Sequence, residues 1–176
     1  MTGLIFPYKS ILPKISETAF VAANAVICGD VVIGAGSGVW FNCVVRGDVH
    51  HIRIGERTNI QDGTIVHVTR DRFACLIGSN VTVGHAAILH GCTLEDDCFV
   101  GMGATVMDGA VVESGGMVAA GALVTPGKVV KKGTLWAGSP AKYLRPLTEQ
   151  ELAFFPVSAA GYAELAAEYL ANQKKM

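Results

Sequence analysis

An apolar residue returns every six positions through most of this 176-residue chain. The series runs Val21, Ile27, Ile33, Val39, Val45, then Ile54, Ile60, Val66, then Ile77, Val83, Leu89. It resumes one residue early at Leu94 and continues through Val100, Val106, Val112, Val118, Val124, Val130 and Trp136. Four places after many of these stands a small or β-branched residue: Ala25, Ser37, Thr58, Thr64, Ala87, Thr93, Ala104, Ala110 and Ala122. Glycine often follows the apolar residue directly, as at Gly34, Gly55, Gly78, Gly84 and Gly101. A period of six fits neither the 3.6-residue turn of an α-helix nor the alternation of an ordinary hairpin strand. It predicts a parallel β-helix, in which short strands alternate with tight corners and each coil stacks on the last. The large and small apolar side chains fill a narrow interior, while asparagines such as Asn24, Asn59 and Asn80 suit the corners.

The pattern [LIV]-G-x-x-[STAV]-x resembles the hexapeptide-transferase superfamily, which implies a left-handed β-helix with three rungs per coil. That hand comes from the resemblance, since the general rule for parallel crossovers gives the opposite one. The repeat ends at Gly138-Ser139-Pro140. Thr148-Glu149-Gln150-Glu151 then has the form of a capping box. A first helix opens there and is interrupted at Pro156; a second, from about Ser158, puts Tyr162, Leu165, Ala166, Tyr169 and Leu170 on one face. The expectation is a mainly β single domain: a β-helix over residues 1–145 and a helical tail over 146–176 packing along its side.

Composition narrows the function. The chain is 51% hydrophobic and only 16% charged, yet no stretch approaches the roughly 18 unbroken apolar residues of a spanning helix. Residues Met1 to Ile11 lack the layout of a signal peptide, so a cytoplasmic protein is expected. A net charge of −1 without a basic block argues against nucleic acid or membrane as the main partner. Cys28, Cys43, Cys75, Cys92 and Cys98 form no CxxC pair and read as reduced thiols filling small core positions, rather than as a metal site.

Counting rungs in threes makes columns on three faces. Val66 opens a rung on one face, and a five-residue insertion, Arg72 to Leu76, precedes Ile77 on the next. Val83 falls on the third face, and Leu89 returns to the first. His67 and His90 therefore hold the same position on adjacent coils, about 4.8 Å apart, close enough for two imidazoles to share one ion. His85 lies on the third face, which a three-fold axis could set against the first face of a neighbour. Three neutral histidines with one position open describe a catalytic zinc site. His50 and His51 sit in an irregular link before Ile54 and read as loop residues. With that link as an insertion, Arg46 lies one coil before His67, and Gln61 and Asp62 one coil before His85. The same interface would bring Arg46 of one subunit to Asp62 of another, either as an ion pair fixing register or as a solvated pair of little weight. Gln61 would point at the metal's water.

Arg46-Gly47-Asp48, Asn59-Ile60-Gln61-Asp62, His67, Val83-Gly84-His85 and Leu89-His90-Gly91-Cys92-Thr93 together resemble the γ-class carbonic anhydrases and their bacterial relatives. The resemblance runs from about Tyr8 to the tail. It implies a homotrimer in which His67 and His90 of one chain and His85 of the next hold zinc, or in some members iron or cobalt. It implies hydration of carbon dioxide to bicarbonate by hydroxide, with Gln61 and Asn59 at the reacting centre and Arg46, Asp48 and Asp62 around it. Tyr162 matches a tyrosine that some relatives place near the metal, against an alternative role in helix packing. Two features depart from the family: Val49 replaces a proton-transferring glutamate, and Val68-Thr69-Arg70-Asp71-Arg72 replaces a longer acidic loop. Both weaken the expectation of fast turnover. Three further readings stay open: a metal-dependent CoA-thioester hydrolase, an acyltransferase (Gly138-Ser139-Pro140-Ala141-Lys142 resembles the end of many), and a metal-stabilised scaffold.

Overall fold

The computed structural model describes residues 3–173, so the outermost residues of the two expected segments lie outside it. The six-residue period becomes a parallel β-solenoid of about seven turns. Its strands form one 12-stranded and one 8-stranded sheet. The first sheet covers two faces, because the long strands Val26–Ile33 and Val44–Ile54 run around the corner between them. The third face carries Phe20–Val21, Gly38–Val39, Asn59–Ile60, Thr82–Val83, Phe99–Val100 and Met117–Val118 in parallel register.

The periodic apolar residues point inward. Ile27, Val39, Val45, Ile60, Val66, Val83, Leu89, Val100 and Val106 are fully buried. Apart from the half-buried Thr93, the small residues of the repeat are buried beside them, and the buried polar ones are satisfied from the neighbouring coil. Ser37 Oγ donates to the Gly55 carbonyl at 2.7 Å, Thr58 Oγ1 to the Gly78 carbonyl at 2.7 Å and Thr64 Oγ1 to the Gly84 carbonyl at 3.2 Å. A buried hydroxyl without such an acceptor would be costly. The glycines after the apolar residues mark the closest approach of successive coils. A Cβ on Gly101 would stand 2.4 Å from the Ala120 amide nitrogen, and one on Gly84 would stand 2.6 Å from that of Met102. Four of the five cysteines are buried and all are free, in keeping with core filling.

Two expectations need correction. The link containing His50 and His51 is not a loop but part of the strand Val44–Ile54. The register passes from Gly29 opposite Gly47 to Val31 opposite Ile52, so residues 48–51 bulge outward against Asp30 alone while the ladder continues on both sides. The tail is a single helix, Glu149–Gln173, with Pro156 inside it. Pro156 is exposed, while the same helix buries Phe155, Ala159 and Ala166. Tyr162 packs edge-on against Trp40 at 5.6 Å between centroids, and Tyr169 lies 5.3 Å from Phe20. This seam lies on the third face and outweighs the one backbone bond that proline removes. The capping box is present: Glu151 N donates to Thr148 Oγ1 at 3.2 Å, and Thr148 N donates to Glu151 Oε2 at 2.8 Å. Beyond Gly138 the chain reverses, and Ala141–Pro146 pairs antiparallel with Thr134–Gly138. No helix among the described residues is long and apolar enough to cross a membrane.

The close approach at Gly101 gives a mutational test. Gly101→Ala should lower stability by about 3 kcal/mol in denaturant titration, because backbone must move. Gly121→Ala has positive φ but open space around it, so only the left-handed strain applies, about 1 kcal/mol. A second test concerns pH. The Arg145 guanidinium, then the Thr148 amide, hold the Glu151 carboxyl at about 2 against an ordinary 4.5. A carboxylate with a depressed folded value stabilises fully above the unfolded value and loses that contribution as pH falls toward the folded one. Far-UV helix signal should therefore weaken between about pH 4.5 and 2, and Glu151→Gln should abolish that pH dependence.

Candidate metal centre

His67 and His90 close the strands Ile65–His67 and Ile88–His90, and the two residues are register partners on adjacent coils. His67 Nδ1 and His90 Nε2 approach to 3.1 Å. Each ring is held from its other nitrogen. His67 Nε2 bonds Asp48 Oδ1 at 3.0 Å, and His90 Nδ1 bonds Asp108 Oδ1 at 2.5 Å. Asp48 also receives Arg46. Burial works against both carboxylates, but the hydrogen bonds of His67 and Arg46 to Asp48, and of His90 and Thr69 to Asp108, outweigh it and hold both below the usual range.

The insertion after His67 is a small hairpin, closed by Thr69 N donating to the Phe73 carbonyl at 3.0 Å. Glycines make room for it. A Cβ on Gly91 would meet the Phe73 Cβ at 2.8 Å, and one on Gly109 the Phe73 ring at 3.0 Å. Thr69 Oγ1 donates to Asp108 Oδ2 at 2.8 Å. The hairpin is thus fastened to the carboxylate that orients His90. Asp108 was not among the expected site residues. Its signal was available, because the rung beginning at Val106 follows Leu89 in the column and carries Asp108 beside Gly91.

His85 stands on the third face, away from the pair, with Nδ1 2.9 Å from Asp62 Oδ2. Within the chain, Arg46 therefore pairs with Asp48 and Asp62 with His85, rather than with each other. Gln61 Nε2 donates to Asn59 Oδ1 at 3.0 Å, Asn59 Nδ2 donates to Thr82 Oγ1 at 3.0 Å, and Thr82 Oγ1 shares a hydrogen bond of 3.1 Å with Ser158 Oγ on the helix. Gln61, Asn59 and Thr82 are all buried. Gln61, His85 and Tyr162 line one cavity of about 380 Å³, whose other walls are mainly apolar: Phe99, Met102, Met117, Phe154. Burial, then the charge of Asp62, pushes the Tyr162 phenol up.

The donor set suits a divalent transition metal. Two nitrogens each about 2.1 Å from one tetrahedral ion lie about 3.4 Å apart, near the 3.1 Å observed between His67 and His90. Carboxylates on the remote nitrogens are the usual supports of histidine ligands. Among the described residues, no group of three or more His, Cys, Asp or Glu side chains of the single chain converges to hold a metal.

Fold and site together define a hexapeptide-repeat solenoid with a carboxylate-braced histidine centre. No family model matches the chain, whereas individual proteins match along nearly all of it. It is 45% identical over 172 residues to a carbonic anhydrase of Geobacillus kaustophilus, covering 98% of this chain and 94% of that protein. The chain belongs to the γ-class carbonic anhydrase family. It is 49% identical over 168 residues to the mitochondrial gamma carbonic anhydrase 1 of Arabidopsis thaliana, covering 93% of this chain but spanning only 61% of that protein's length. A solved hexapeptide transferase family protein of Anaplasma phagocytophilum superposes with a TM-score of 0.91 at 51% identity, covering 94% of this chain and 98% of that one.

Asp108→Asn tests the bracing directly. It should weaken zinc binding to stripped protein by about 10- to 100-fold in calorimetric titration, as loss of such a partner does, without a matching fall in thermal stability.

Proposed function

We propose that this protein reversibly hydrates carbon dioxide to bicarbonate at a metal centre shared between subunits of a homotrimer. His67 and His90 of one chain and His85 of its neighbour would hold the ion, with zinc first among the candidates and iron or cobalt behind it. The observation that carries the reading is the convergence of the His67 and His90 nitrogens at 3.1 Å with a carboxylate behind each ring. The similarity to proteins named carbonic anhydrases supports the reaction. The position of His85 on a different face supports a site completed by a second chain.

A divalent metal bound there makes hydroxide available near neutral pH. The chain's own residues supply the rest. The apolar walls at Phe99, Met102 and Met117 offer carbon dioxide, which has no charge or dipole, a place that water does not contest. Gln61 is fixed by Asn59 through its Nε2, which leaves Oε1 free to accept a hydrogen bond from the attacking hydroxyl and so aim its lone pair at carbon. Tyr162, kept protonated by burial and by Asp62, can donate to an oxygen of the bicarbonate being formed. Asp48 and Asp108 accept the remote ring protons of His67 and His90, keeping the facing nitrogens unprotonated toward the ion. Solenoid and helix act as one domain, joined by the Asn59–Thr82–Ser158 chain. Five free thiols suit a reducing compartment, the cytoplasm in our reading.

Stopped-flow hydration of carbon dioxide on zinc- and iron-loaded protein, beside the chelated form, decides the matter. Loaded protein should exceed the chelated form by several orders of magnitude, and His90→Ala should lose both metal and activity. Equal rates in loaded and chelated protein would overturn the function. Sedimentation of the loaded protein as a monomer would overturn the shared site.

A further inference from the structure

Hydration of carbon dioxide leaves one proton behind for every bicarbonate, and that proton has to reach solvent before the next cycle. The inference that follows rests on the hydration reading. The residue matching the family's proton-transferring glutamate is Val49, and the acidic loop is replaced by the hairpin 69–73.

The outward bulge at residues 48–51 opens a separate cavity of about 270 Å³, lined by Tyr8, Lys9, Asp30, Asp48, Val49, His50, His51 and Asp71 among others. Such a volume has room for several water molecules. Asp48 belongs to both places: its Oδ1 holds His67 Nε2 at 3.0 Å, and the same side chain forms part of this cavity wall. Both histidines are half-buried and line the cavity, with Asp48 in the same wall.

Their pairing fixes which nitrogen is free. His50 Nδ1 accepts the His51 backbone N–H at 2.9 Å and lies 3.2 Å from His51 Nδ1. With His50 Nδ1 already an acceptor, the proton between the rings belongs to His51 Nδ1. His51 Nε2 is then the unprotonated nitrogen, and protonating it keeps the His51–His50 bond intact. We infer that His51 is the proton relay of this enzyme: its Nε2 takes the proton released at the histidine centre through the water of the bulge cavity and passes it to solvent buffer.

The charges around His51 are mixed. Burial, then Arg53 and His50, lower its proton affinity, while Asp30 raises it. Asp30 is itself paired with Arg53 at 2.8 Å and feels Lys14. Lys9, Tyr8, Asp48 and Asp71 complete the cavity wall. Lowered basicity favours release of the proton once His51 has taken it.

The test compares zinc-loaded wild type with His51→Ala and His51→Gln, both checked for unchanged metal content and sedimentation. In dilute buffer both variants should lose at least about tenfold in kcat with kcat/KM unchanged, since only the proton-export step is impaired. Imidazole at tens of millimolar (about the level at which a buffer competes with an internal base) should restore kcat in His51→Ala. Independently of activity, the His51 ring should titrate by NMR in metal-free protein, with its midpoint below that of a free imidazole. Unchanged kcat in dilute buffer, a loss that imidazole fails to rescue, or a His51 ring that does not titrate would each overturn the relay while leaving hydration standing. A loaded wild type without hydration activity would remove both readings together.

Discussion

Every feature of this molecule depends on how closely one coil can lie on the next. Backbone hydrogen bonds between coils require strands about 4.8 Å apart on all three faces at once. That spacing is reached only where side chains permit it. Gly34, Gly55, Gly78, Gly84 and Gly101 each sit where a Cβ would meet atoms of the following coil within 3 Å. Ser37, Thr58 and Thr64 fill the small positions and spend their hydroxyls on carbonyls one coil away. The same spacing sets the histidine centre. Two residues at one repeat position are brought together because their strands are ladder neighbours, and the nitrogens meet with no dedicated loop to carry them.

Departures from the period are where the chemistry gathers. The bulge at residues 48–51 supplies Asp48 and the paired histidines. The hairpin after His67 brings Thr69 to Asp108. A strictly regular solenoid has smooth faces, and the extra chain admitted at these two places brings Asp48 to His67 and Thr69 to Asp108. The insertions leave the inward ladder undisturbed, because Val45, Ile52, Ile54, Val66 and Val68 remain buried on either side of them.

Most of the solenoid was legible in the sequence because a six-residue period specifies strand, corner and inward face together. The column count also placed Arg46 beside His67 and Asp62 beside His85, since coil stacking is a matter of counting. Three things escaped it. Residues 48–51 lack the repeat and read as loop, yet the ladder on both sides carries them in strand geometry. Pro156 reads as a helix stop, yet it faces solvent while Phe155, Ala159 and Ala166 hold the helix to the third face. Asp108 went unnoticed because it stands one position past its column, reaching His90 by side-chain length rather than by register.

The reversal at Gly138 has a consequence beyond neat termination. In a parallel stack each coil templates the next, so the last one offers the same unpaired edge that every earlier coil offered. Ala141–Pro146 folds back antiparallel over that edge, and it ends in Pro146, which has no amide hydrogen to donate. An incoming coil of another molecule would find opposed strand direction and a missing donor where it needs a continuing ladder. On the third face this end of the solenoid is thereby closed to strand addition, while Leu123–Val124 and Val129–Val130 remain the last strands of the other sheet.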